Sequence, residues 1–398
     1  TTEKLARWDP YDQNASADFF DPEWMFGLRE GFDIVTGNPP YVDSETMTKN
    51  QPVLREVYAQ TFRTARGNWD LFIIFTEKAL ALLQNSGVMS YIVPNKLIGS
   101  PYAETIRRLL SENSIREIRD YSGVNVFAET AVYPVTLVVQ KSKESSAVRM
   151  TLMKSFDECE CTHLIQSQTF RKETAWARYF EKGDCAGILE KCTAHPPLRV
   201  HFPRITGAAT VAEAYELKKC IAEFTGRERG PYRKFVNTGT IDRYCILWGR
   251  KPTRYIKDSY DKPIIPDSGI EGINPKRLEQ ACSPKIIIGG MTLELECAYD
   301  EGKFLAGKST TIILPGKRLD LKYALGILNS HLVTYWYKTY YKALSLAGGY
   351  LRINSNEIGS IPIPVAERAE HDTLVKLVER ILAAKRADAA ADVSAWER

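Results

Sequence analysis

The sequence predicts an α/β domain followed by a separate α+β domain, and three observations carry that reading. Between residues 31 and 141, apolar runs of strand length alternate with stretches of helical spacing, the pattern of a parallel sheet with helices on its faces. From residue 231 to 365 the text changes to short strand-like runs separated by Gly, Pro and Asp turns, with one helical interruption. A chain of 398 residues is long enough for two or three domains with their own cores.

The first strand rests on Phe32, Ile34 and Val35 in "GFDIVTGNPPYVD", read as a short buried run. It must end at about Gly37, because Pro39 and Pro40 have no N–H to give to a ladder. "WDLFIIFTEKALALLQNSG" has helical spacing and is expected to close on Gly87 as its C′ residue. "VMSYIVPNKLI" is the next strand, and "SPYAETIRRLLSENS" is a helix with Ser100 as N-cap and Pro101 at its first position. "IREIRDYS" and "VYPVTLVVQKS" follow without a helix between them and are expected to close the sheet as an antiparallel pair.

The boundaries expected on these grounds are 1–145 for the first domain, 146–230 for a connection, 231–365 for the second domain and 366–398 for a C-terminal helix. The connection contains one clear helical stretch, "TVAEAYELKKCIAEF". In the second domain, "KFVNTGTIDRYCILWG", "PKIIIGGMTLELECAYD" and "STTIILPG" read as strands, and "LKYALGILNSHLVTYWYKTYYKAL" as one helix. "ERAEHDTLVKLVERILAAKRADAA" is amphipathic and forms the terminal helix.

Composition excludes several classes. With 44% hydrophobic and 26% charged residues there is no compositional case for disorder. A net charge of +4 permits nucleic-acid binding through a local patch without arguing for it. No apolar run is long enough to span a bilayer and "TTEKLARWDP" has no signal-peptide pattern, so the cytoplasm is the expected location and no membrane partner is expected. The eight cysteines lack regular paired spacing and read as reduced thiols. "CECTH" puts Cys159, Cys161 and His163 on one face of a strand, but without a Cys-x-x-Cys partner no metal is assigned to them. The chain does not begin with Met and its first strand is abrupt, so it is expected to be a piece of a longer protein.

Two motifs compete for a functional role. "GKFLAGKS", residues 302–309, matches a phosphate loop literally, but such a loop needs a helix after it, and the following "TTIILPG" is β-branched and closed by Pro-Gly. The match is therefore expected to be a hairpin loop. "NPPY" is an Asn-Pro turn on local grounds, and a purely structural role stays open. It also supplies what one chemistry needs. The exocyclic N6 of adenine is a poor nucleophile because its lone pair is delocalised into the ring. Two acceptors, the Asn38 side-chain oxygen and the Pro39 carbonyl, would draw both N6 hydrogens and push that nitrogen towards a tetrahedral form. Pro40 keeps the backbone rigid, so the acceptors are preorganised, and Tyr41 offers a face on which a base can stack. No metal is required if the methyl donor is a sulfonium.

The chain resembles the later part of a gamma-class N6-adenine DNA methyltransferase fused to a target-recognition domain, as in the bifunctional type IIG restriction-modification enzymes. Asn38, Pro39, Pro40 and Tyr41 match the family's catalytic motif. Upstream, "ADFFD" matches the segment that holds the cofactor's adenine, which implies Asp18 and Phe19, with Asn38 and Pro39, as cofactor-binding residues. Downstream, "VFAETAVYPVTLVVQKS" resembles the segment whose aromatic stacks on the flipped target base. That implies Phe127 beside Tyr41, although Phe127 also reads as plain core. "FVNTGTIDRYCILWG", "YALGILNSHLVTYWY" and "INSNEIGSIPIP" resemble the family's recognition domains.

The resemblance implies a Rossmann-like methyltransferase sheet, S-adenosylmethionine as cofactor, duplex DNA as partner, base flipping, and an upstream nuclease in the full-length chain. The chain departs from the pattern in one respect: nothing before Asp18 supplies the family's glycine-rich cofactor loop. For DNA contacts the expected residues are Arg243, Arg250, Lys251, Arg254 and Lys308. The cluster Tyr335, Trp336, Tyr337, Tyr340 and Tyr341 with Lys338 and Lys342 is either a DNA-facing surface or, as five aromatics at helical spacing favour, packed core. Two rival functions use other logic: a protein glutamine-N5 methyltransferase, whose planar amide poses the same nucleophile problem, and a DNA-recognition module without catalysis.

Overall fold

A computed structural model describes residue 3, residue 9 and residues 11–12, 20–127, 133–144, 147–172, 176–180, 185–228, 230–341 and 349–396. The chain divides into two units, Thr1–Lys182 and Gly183–Arg398.

The first unit is built on a six-stranded mixed sheet of β1 (Phe32–Gly37), β2 (Leu83–Pro94), β3 (Ser114–Asp120), β4 (Pro134–Gln140), β5 (Val148–Met153) and β6 (Cys159–Ile165), in the order β1-β2-β4-β3-β5-β6. β1 runs parallel to β2, β4 is antiparallel to both β2 and β3, and β3 is parallel to β5. The expected antiparallel closure by the fourth strand is therefore present. The sheet then continues: β5 and β6 lie beyond residue 145, in the stretch read from sequence as a connection. The polar residues of β6 hide its strand character, because it pairs only with β5 and its side chains are half-buried or exposed.

Helices cover this sheet where their apolar positions fall on one stripe. α1 (Ser44–Asn50) and α2 (Pro52–Thr61) follow the first strand, and α3 (Phe72–Leu82) buries Phe72, Ile73, Ile74, Ala79 and Leu80. α4 (Glu104–Ser111) adds Ile106 and Leu110. Each such large side chain contributes about 1.5–3 kcal/mol when fully buried, which is what holds helices this short in place. A single 3-10 turn, Pro101–Ala103, precedes α4, and Ser100 makes no side-chain cap there.

Two sequence expectations need correction here. Helix α3 stops at Leu82 and the chain enters β2 directly, so Gly87 is a strand residue and not a helix terminator. A Cβ at Gly87 would sit 2.8 Å from the Phe32 carbonyl oxygen, so glycine is required by the close approach of β1 at an irregular register. Ile34 is 65% exposed: among the described residues β1 is an edge strand of the sheet, and it is not the buried run expected.

The second unit carries two four-stranded sheets. One has the order β17-β15-β19-β7, with β7 (Ile205–Gly207), β15 (Lys285–Gly289), β17 (Cys297–Asp300) and β19 (Thr310–Ile313) all antiparallel. Its central strand buries Ile286, Ile287 and Ile288 in succession, as a strand covered on both faces does. The other has the order β18-β9-β14-β8, from β8 (Ala222–Glu223), β9 (Tyr232–Val236), β14 (Pro263–Pro266) and β18 (Phe304–Ala306). The phosphate-loop match, residues 302–309, contains β18 and leads directly into β19. A strand follows it, as expected, but β18 and β19 belong to different sheets, so the segment is a crossover and not a hairpin.

The expected single long helix is two, α7 (Leu321–Leu328) and α8 (His331–Tyr340), split where the Ser330 side chain accepts from the Val333 N–H. They follow α5 (Val211–Cys220) and α6 (Pro275–Cys282) in the chain. α9 (Arg368–Ala387) packs closely on α7: a Cβ at Gly326 would lie 2.8 Å from a Val378 methyl carbon.

Candidate active site

The site begins at the carboxyl end of β1, where ligands bind in open sheets of this kind. The chain cannot pair after Gly37 and leaves the sheet with Asn38 exposed, Pro39 buried, Pro40 exposed and Tyr41 half-buried. The Asn38 side chain makes no hydrogen bond with the described residues, so its oxygen and amide are open to a ligand.

A turn without ladder partners needs other anchors, and a backbone bond together with the Asp70 and Asp43 side chains supplies them. The Leu71 N–H donates to the Val42 carbonyl at 2.8 Å. Asp70, 5% exposed, accepts from the Ser44 N–H at 3.2 Å, the Tyr102 hydroxyl at 2.7 Å and Lys96 Nζ at 3.0 Å. Burial, and then the Asp70 charge, push the Tyr102 hydroxyl's pKa well above that of a free phenol, so it donates and does not ionise. Asp43 caps α1 by accepting from the Thr46 N–H at 2.7 Å, and that backbone bond lowers its pKa. The exit of the turn is thus tied to α3, to the end of β2 and to the approach to α4. Sequence reading missed Asp70, Lys96 and Tyr102, because they are spread over 33 positions and no local motif joins them.

Tyr41 meets Phe127 edge to face, with ring centroids 6.1 Å apart and planes at 85°. The structure therefore brings together the two aromatics expected to hold a base, as a corner and not as parallel plates. The Tyr41 hydroxyl is buried and meets no hydrogen-bond partner among the described residues, and burial pushes its pKa up to about 12. It is no general base near neutral pH. The Phe127 loop is fixed from beneath: the Asn95 side chain donates to Ser122 Oγ at 3.2 Å, and the Ser122 N–H donates to the fully buried Asp120 at 2.8 Å. Asp18 and Phe19 lie outside the described residues.

In the second unit, Arg250, Lys251 and Lys308 are exposed on loops, and Arg254 is exposed on a short strand, Thr253–Tyr255, not on a loop as expected. Arg243 differs, being half-buried with its guanidinium donating to the Asn329 carbonyl at 2.6 Å, an anchor for α7. Of the aromatic cluster, Trp336, Tyr337 and Tyr340 are buried and Tyr335 and Tyr341 half-buried, with Trp336 stacked on Tyr340 at 4.4 Å. This is core, as five aromatics on one helix favour. Lys338 is exposed, and Lys342 lies outside the described residues. Cys159, Cys161 and His163 do alternate along β6, and no group of three metal-ligating side chains occurs among the described residues.

A mixed sheet of this order with Asn-Pro-Pro-Tyr at a strand end, followed by a second α+β unit, defines the class: the later part of a Rossmann-like methyltransferase sheet followed by an α+β domain. Comparison with known proteins agrees. Residues 2–127 match the Eco57I restriction-modification methylase family, and residues 235–363 match the TaqI-like C-terminal specificity domain.

The chain is 27% identical over 116 residues to the type II restriction enzyme and methyltransferase RM.Eco57I of Escherichia coli, covering 29% of this chain and 12% of that one. It is 24% identical over 405 residues to the type II methyltransferase M.BstVI of Geobacillus stearothermophilus, covering 88% and 71%. Among solved structures, the type IIL restriction-modification enzyme MmeI in complex with DNA superposes with a TM-score of 0.54 at 11% identity, covering 91% of this chain and 50% of that one, a likeness of fold. These matches support a type IIG restriction-modification-like methyltransferase with a C-terminal specificity domain, and the chain spans half or less of RM.Eco57I and MmeI.

Proposed function

We propose that the protein is a sequence-specific DNA adenine-N6 methyltransferase of a restriction-modification system, acting in the cytoplasm with S-adenosylmethionine. The observation that carries the reading is the Asn38 side chain, unengaged at the end of β1 beside the Tyr41–Phe127 corner. Asn38 and the Pro39 carbonyl supply the acceptors, and Pro40 limits their motion. Tyr41 and Phe127 offer the apolar walls that a base needs once it leaves the helix stack. Extruding that base costs a few kcal/mol, which stacking on aromatics offsets at about 1–3 kcal/mol per base.

S-adenosylmethionine supplies an electrophilic methyl group, so the chain's part is to raise the nucleophilicity of N6 and hold it in line. The donor set suits that cofactor: a side-chain amide with no internal partner at the strand's carboxyl end accepts from or donates to an amino acid or adenine edge alike. Asn38 and Pro39 would hold it there, with Asp18 and Phe19 upstream. The second unit selects the sequence through groove edges with Lys251, Arg254 and Lys308, and Arg250 serves it as a phosphate contact. A nuclease in the same polypeptide, as in the name of RM.Eco57I, completes the restriction-modification reading.

The test is modification-sensitive sequencing of DNA from cells expressing the full-length gene, beside an Asn38→Ala copy that still binds DNA. N6-methyladenine at one recurring motif, absent in the variant, is the expected result. No adenine mark in either strain refutes the proposal, and loss of specific DNA binding in the variant refutes the role given to Asn38.

A further inference from the structure

The second unit contains a cavity of about 270 Å³ between the turn after β11 (Cys245–Ile246), the β17–β18 connection and the end of α9. Its wall combines cations and aromatic rings. Lys234 Nζ lies 4.3 Å from the centroid of Trp248 and 5.8 Å from that of Phe304. Arg250 and Lys385 face the same space.

The carboxylates that share the wall are already committed. Asp300 is ion-paired with Lys285, both side chains 1% exposed, and it also accepts from the Lys303 and Phe304 N–H groups. Glu301 is paired with Lys303 at 2.9 Å and with Arg386. Among the described residues no carboxylate pairs with Lys234, Arg250 or Lys385; Lys385 only donates to the Ala389 carbonyl, at 3.2 Å. Three cations unneutralised by carboxylates therefore converge on one concavity with a low-dielectric aromatic floor. Such floors strengthen the field of nearby charges, and like charges held together call for an anion between them.

We propose that this cavity is a phosphate site that grips one segment of the DNA backbone, with Arg250 and Lys385 as its contacting groups and Lys234 held on Trp248 as its fixed charge. The inference rests on the reading that the protein binds DNA and adds to it a phosphate site that Arg250 shares with Lys234 and Lys385. Backbone contacts position without reading sequence, so the site contributes affinity equally to every duplex. Arg suits it by its fork of donors, and Lys by its point charge.

The test is the salt dependence of duplex binding by the full chain, followed by fluorescence anisotropy, for the wild type and for Arg250→Gln/Lys385→Gln. The variant is expected to lower the slope of log Kd against log salt by about 2, since each phosphate contact contributes about 0.9. Its loss of affinity should be the same for target and non-target duplexes, and the preference for the target should persist. Arg250→Gln alone, at an exposed turn, should give half the change in slope if the double variant folds poorly.

An unchanged slope with intact binding overturns the proposal and leaves the DNA reading standing. Absence of duplex binding by the wild type overturns the DNA reading itself, and this site with it. A third arm titrates the wild type with a nucleoside triphosphate while following tryptophan fluorescence. A saturable change that the double variant lacks, combined with an unchanged DNA slope, reassigns the cavity to a free nucleotide and overturns the backbone assignment.

Discussion

Tyr41 holds its hydroxyl in a buried place with no partner among the described residues, and that is a cost the fold would avoid if only packing were at stake. A phenylalanine there keeps the ring and removes the orphaned donor. Tyr41→Phe should therefore unfold no more easily than the wild type, with a gain of up to about 1 kcal/mol by chemical denaturation. If the ring alone serves the base, methylation should survive in that variant and fail in Tyr41→Ala; a dead Tyr41→Phe would assign the hydroxyl a ligand of its own. Phe127 is tested separately, because the two rings meet at 85° and cannot substitute for each other as parallel plates. Phe127→Ala should weaken binding to duplexes whose target adenine faces a missing or mismatched base by about 1–3 kcal/mol, measured against a fully paired duplex. Equal affinities in wild type and variant would return Phe127 to the core. The two rings were legible as motif residues. Asp70 was not: its partners Ser44, Lys96 and Tyr102 converge only when three elements have packed.

Between elements, a dense polar link in the second unit joins α5 to α6. Glu213 completes a capping box with Thr210 at the start of α5, and the same carboxylate accepts from Arg277 Nη2 at 2.9 Å and from Asn274 Nδ2 at 2.8 Å. The Arg277 hydrogen bond leads in lowering its pKa to about 2; burial, next in size, opposes it, and the Thr210 bonds and the Arg277 charge lower it further. Because the folded-state value lies below the unfolded one, this stabilisation is fully present above about pH 4.5 and is lost as pH falls towards about 2. Glu213→Ala strands a guanidinium that is 9% exposed at its side chain, and should cost about 2 kcal/mol near neutral pH. The gap between variant and wild type in thermal unfolding should close on acidification through that window; a gap that stays constant would mean that the helix cap, not the charge, carries the effect. The cap of α5 was readable as "TVAE", but Arg277 lies 64 positions away and left no local trace. Element type was legible where a run had one period, as in β2, α3 and α9. It failed at Gly87 and at Asn329–Ser330, where a close approach of β1 and a serine cap overrode a continuous pattern.

For the molecule as a whole, the division at Lys182/Gly183 separates the carrier of Asn-Pro-Pro-Tyr from the carrier of the exposed loop cations. Fold class and the Asn-Pro-Pro-Tyr turn could be read from sequence because strand alternation and a Pro-Pro turn are local. The extent of the first sheet could not, since β6 has the polar, alternating text of a half-exposed strand and β5 is a run of only six residues. If chemistry resides in the first unit and choice of sequence in the second, the two properties must be separable by exchange. Replacing residues 183–398 with the corresponding region of a relative that modifies a different sequence should move the methylated motif to the donor's, while Asn38→Ala in the hybrid still abolishes the mark. Both units bury their own hydrophobic clusters, so the hybrid need not rebuild a shared core to fold. Methylation that stays at the original motif would place base reading in the first unit. A folded hybrid that binds the donor's sequence without methylating it would show that the second unit also helps to hold the extruded base, since recognition would have moved and catalysis would not have followed.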